Sequence, residues 1–65
     1  MTKDELIEEL DDFIDEEQDG LDAYESFIKD LGEDNIVVSE IIKQIMEHEA
    51  QHIQLLMEAI NLLED

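Results

Sequence analysis

The chain has no cysteine, which excludes both a disulfide framework and a thiolate metal site. It has no proline and only two glycines, Gly20 and Gly32. Few residues therefore break the backbone, and Glu, Leu and Ile are frequent, a composition that favours long helices over a sheet. Arginine is absent, and three lysines face 21 acidic residues, for a net charge of -18. A surface so acidic excludes nucleic acid as a partner and attracts cations or basic proteins. No apolar run has the length of a membrane span. The N-terminus, Met1-Thr2-Lys3-Asp4-Glu5, lacks the basic and apolar regions of a signal peptide, so a cytoplasmic location is expected. With 65 residues the chain is read as one domain, 1–65, with room for little core.

What is present is helical periodicity. Thr2 and Glu5 match the capping box S/T-x-x-E, which predicts a first helix over 3–31. Its apolar stripe runs through Leu6, Leu10, Phe13, Glu17, Gly20 or Leu21, Tyr24, Ile28 and Leu31, in steps of three and four. Ile7, Ile14 and Phe27 widen it. Gly32 is a natural C-cap, and residues 32–35 make a turn in which Asp34 or Asn35 caps a second helix over 36–64. The second stripe is Val38, Ile41 or Ile42, Ile45, Glu49 and His52, Leu56, Ala59 or Ile60, and Leu63, with Met46, Ile53 and Met57 beside it. Phe13, Phe27, Met46 and Met57 are read as core residues. So short a turn makes the helices antiparallel neighbours. The expected fold is all-α, a two-helix hairpin. Because two helices alone leave a flank of each stripe in water, a homodimeric four-helix bundle is expected.

Each stripe is interrupted by polar groups near its middle: Glu17 in the first helix, Glu49 and His52 in the second. Counted back to the turn at the helical rise, the three lie roughly 21, 20 and 24 Å away, so they share one level. A carboxylate or imidazole in an apolar seam is costly without compensation, and a metal ion is a common compensator. A two-fold axis through the middle of the bundle would add the same three groups from a second chain. Four carboxylates and two imidazoles balance two divalent cations, the ligand set of carboxylate-bridged di-iron and di-manganese bundles.

Glu17 with Tyr24 seven residues later, and Glu49-Ala50-Gln51-His52 on the facing helix, resemble the motif of the ferritin-like superfamily, in particular the rubrerythrin, bacterioferritin and encapsulated-ferritin group. The likeness covers nearly the whole chain, as half of the usual four-helix fold. It implies Glu49 as a bridging ligand, Glu17 as a mostly terminal one, His52 as the nitrogen ligand and Tyr24 as a hydrogen-bond donor to a carboxylate. The implied activity is a ferroxidase on a di-iron site formed between two chains of a homodimer or larger homo-oligomer. Manganese or zinc can substitute for iron at such a site. No extension after Asp65 resembles a compartment-targeting peptide, and the cysteine ligands of a rubredoxin-like electron donor are lacking. The likeness therefore extends to the di-iron bundle alone.

Other readings use the same residues. His48-Glu49-Ala50-Gln51-His52 spells H-E-x-x-H, the zinc-protease helix, but the chain has no third histidine and no length for a substrate cleft. The register turns His48 to one flank, exposed or at an interface. Asp12, Asp15 and Glu16 belong to a solvated face that would also concentrate cations. Gly20, one turn from Glu17, either admits oxygen, peroxide or water to the metals or allows close helix packing. The alternative class is a non-catalytic acidic adaptor covering a basic protein surface. The charge fits it, but it does not account for three polar groups at one level.

Overall fold

The first helix starts where the Thr2–Glu5 pair satisfies its free amides. Thr2 Oγ1 accepts from the Glu5 amide at 3.1 Å, and Glu5 Oε1 accepts from the Thr2 amide at 3.2 Å. In the computed structural model, which describes Met1–Asp65, α1 spans Lys3–Leu31 and α2 spans Ile36–Glu64. Asp4 and Glu5 lie in the first turn of α1 and Lys29 in its last, each at the favourable end of the helix dipole. Gly32 ends α1 with φ 73° and ψ -178°, a combination open essentially to glycine alone.

Asn35 precedes α2 at the N-cap position but makes no capping bond there. Its Nδ2 instead donates to the Leu31 carbonyl at 2.7 Å. The side chain thus satisfies a free carbonyl at the end of α1, and the turn is tied backwards to the helix it leaves.

The helices are antiparallel neighbours in a rod of 50 × 14 × 12 Å. The mutual faces are Ile7, Leu10, Ile14, Glu17, Leu21, Tyr24, Ile28 and Leu31 of α1, and Ile42, Ile45, Met46, Glu49, Ile53, Leu56, Ile60 and Leu63 of α2, all half-buried. No residue of the chain is buried. The reason is geometric: each helix covers only one side of its neighbour's stripe.

That geometry corrects part of the sequence reading. Phe13, Phe27 and Met57 are not core residues: they are 48%, 46% and 54% exposed. Leu6, Val38 and Ile41 are exposed as well, whereas Ile7 and Ile14, assigned to the edge of the stripe, are half-buried against α2. Periodicity locates an apolar stripe, but a stripe wider than one helix contact does not say which flank its single neighbour will cover.

Candidate metal centre

Glu17 is the middle residue of α1, and Glu49 and His52 bracket the middle of α2. Antiparallel pairing of two helices of equal length brings these three side chains to one level. One ligand atom from each lies within 4.8 Å of the others. His52 Nδ1 is 3.7 Å from Glu17 Oε2 and 3.9 Å from Glu49 Oε1, both beyond hydrogen-bond length. The imidazole therefore faces two carboxylates without being bonded to either.

The burial is graded. The side chains of Glu17 and Glu49 are 27% and 23% exposed, and that of His52 is 53% exposed. The sequence reading put all three in the seam. The structure puts the carboxylates in it and the imidazole at its edge, on the flank no second helix covers. Glu17 Oε2 is itself out of contact with water and has no hydrogen-bond partner. No lysine pairs with either carboxylate, and the only ion-pair contacts of the hairpin are the two to His52. A buried carboxylate oxygen without a donor is an uncompensated cost.

A groove of about 370 Å³ opens beside the cluster, lined by Phe13, Glu16, Glu17, His52, Leu55 and Leu56. Glu16 contributes a second carboxylate to its wall beside Glu17, one that periodicity placed on the solvated face.

Tyr24 is half-buried on α1 two turns beyond Glu17. The side-chain hydrogen bonds of the hairpin are those of Thr2, Glu5 and Asn35, so the Tyr24 hydroxyl donates to neither glutamate. His48 is exposed and takes no part in the cluster, so the two histidines of H-E-x-x-H do not converge.

The donor set fits a borderline or hard cation. Ligand atoms sharing one ion at bonds of about 2.1 Å stand about 3–3.5 Å apart. The two contacts of His52, at 3.7 and 3.9 Å, lie near that spacing, and the three ligand atoms, within 4.8 Å of one another, close to it by side-chain rotation. Two carboxylates and one imidazole suit iron, manganese or zinc. A cation would supply the partner that Glu17 Oε2 lacks. No protein-family model, curated protein or solved structure matches this chain.

Proposed function

We propose that the chain is a metal-binding helical hairpin whose site is completed by a second copy, and that it takes iron as a pair of ions, oxidising Fe(II). The observation that carries the reading is the buried, partnerless Glu17 Oε2 at a point where Glu49 and His52 converge within 4.8 Å. Three ligands from one chain leave a divalent ion short of its usual coordination number. The exposure of His52 on an uncovered flank is consistent with ligands arriving from outside the hairpin. A second hairpin would supply Glu17, Glu49 and His52 again, in a four-helix bundle of the ferritin-like kind.

In this reading the protein's own groups bind and orient. Glu17 and Glu49 neutralise charge on the ions, and His52 contributes the nitrogen donor through Nδ1, the atom that faces both carboxylates. Fe(II) is the substrate: two ions each yield one electron to dioxygen, which takes up two protons and leaves as hydrogen peroxide. With peroxide as the oxidant, two more protons and two electrons give water. Glu16, in the wall of the groove, would attract incoming cations. Tyr24 is the remaining candidate for the reaction, as a donor to a carboxylate once side chains adjust.

The reading is tested by Fe(II) oxidation in air-saturated buffer, followed as the rise of Fe(III) absorbance. The wild-type chain should accelerate it well above the protein-free rate, and Glu49→Ala should return it to that rate. Equal rates for the two proteins would remove the ferroxidase. The acidic-adaptor alternative draws on the net charge of -18 but leaves the orphaned Glu17 oxygen unexplained.

A further inference from the structure

The hairpin exposes more surface than its size warrants. Its accessible area is 5098 Å². A globular chain of 7.6 kDa exposes about 4,300 Å². The surplus, about 800 Å², is what one partner contributes to a standard protein–protein interface. Its chemistry is visible in two series. On α1, Leu6, Phe13, Gly20 and Phe27 recur every seventh residue. On α2, Ile41, His48, Leu55 and Leu62 do the same. The large apolar members of both series are exposed, from 37% for Leu6 to 76% for Leu62. A seven-residue repeat keeps one edge of a helix in view of a partner over several turns. Phe13 and Leu55 line the same groove, so the two series border one face of the hairpin.

Both series are symmetric about the level of the candidate metal centre. The middle of the first falls between Phe13 and Gly20, beside Glu17. The middle of the second falls between His48 and Leu55, beside His52. A two-fold axis across the rod at that level pairs each series with itself in the antiparallel sense. Leu6 then meets Phe27, and Phe13 meets Gly20. On the other helix, Ile41 meets Leu62 and His48 meets Leu55. Neither series contains Asp, Glu, Lys or Arg, so along these two edges a second copy finds an apolar complement, and Glu16 and Glu17 are confined to the groove between them.

Gly20 is the decisive residue. A glycine inside a helix costs stability relative to alanine and calls for a reason. Steric packing within the hairpin does not supply it: a Cβ at Gly20 would meet a single atom, Glu49 Oε2, at 3.9 Å, an ordinary contact. Close packing of α1 on α2 therefore does not require it. We infer that this face is the seat of a second copy of the chain, with Phe13 of each copy lodged over Gly20 of the other and the two-fold axis passing through the level of Glu17 and His52. The missing side chain is the hole for the partner's ring. The inference rests on the two-copy reading of the metal site, but it adds the face and the register.

Sedimentation equilibrium on the full chain, with and without saturating Mn(II), tests it. Wild type should form dimers with Mn(II) present. Gly20→Leu should fill the hole and weaken dimerisation at least tenfold, while its helix content by circular dichroism is equal or higher because glycine is the poorer helix former. Adding Phe13→Ala to Gly20→Leu should recover most of that loss, since bulk removed on one side makes room for bulk added on the other. A Gly20→Leu chain that dimerises like wild type, or a Phe13→Ala change that deepens the loss, overturns the register while leaving a two-copy metal site standing. Wild type monomeric under both conditions would overturn the two-copy reading together with the inference.

Discussion

Removing one carboxylate from the cluster should strengthen the metal-free hairpin. Glu17 and Glu49 bring their ligand oxygens within 4.8 Å with no cationic side chain of lysine between them. At that separation, two unit charges repel by about 0.9 kcal/mol in water and by about 3.5 kcal/mol at an effective dielectric of 20. The pair sits at the edge of a groove, between those limits, so relief of about 1–2 kcal/mol is expected. Glu49→Gln keeps the side-chain shape and removes the charge. In EDTA and low salt it should raise the melting temperature by about 7–15 °C for a chain of this size. With Fe(II) or Mn(II) the order should reverse, because only wild type gains the stability that ligand binding confers, about 2.7 kcal/mol at a hundredfold excess over Kd. Thermal unfolding followed by circular dichroism, run in both conditions, reads both effects. If Glu49→Gln lowered the metal-free melting temperature, the 3.9 Å contact of Glu49 with His52 would outweigh the repulsion between the carboxylates, and the reasoning would fail.

Further outcomes follow from the ends of the helices and from the charge. Gly32→Ala should cost about 1–3 kcal/mol, because φ 73° with ψ -178° is strained for any residue with a Cβ; urea unfolding measures it. Thr2→Ala should cost about 1 kcal/mol by removing the acceptor of the Glu5 amide, seen as fraying of the first turns in amide exchange. Raising NaCl from 10 mM to 0.5 M should stabilise the metal-free chain, since a net charge of -18 opposes compaction and salt screens it; a melting temperature that falls with salt would contradict this.

The hairpin was legible in the sequence because its signals are local. The Thr2–Glu5 box fixes where α1 starts, Gly32 fixes where it stops, and steps of three and four mark the apolar stripes. The convergence of Glu17, Glu49 and His52 was legible for a different reason. Helical rise converts residue counts into distances, so a short turn makes the level of each residue calculable. Contacts that depend on what covers a surface were not legible. Phe13 and Phe27 satisfy the period of the stripe as well as Ile14 does, yet only the flank bearing Ile14 meets α2. Asn35 has the chemistry of an N-cap, but an amide also donates, and the free Leu31 carbonyl is within reach. The half-exposed position of His52 has the same origin as that of Phe13: both lie toward the flank left open.

The ligand assignment is tested most directly by anaerobic titration with Fe(II) under calorimetric readout, on wild type and on Glu17→Gln, Glu49→Gln and His52→Ala. Saturation at one iron per chain, hence two per pair of chains, is predicted for wild type, with affinity lost in each variant. Absence of saturable binding, or an unchanged isotherm in the variants, would contradict the assignment of Glu17, Glu49 and His52 as the metal's ligands.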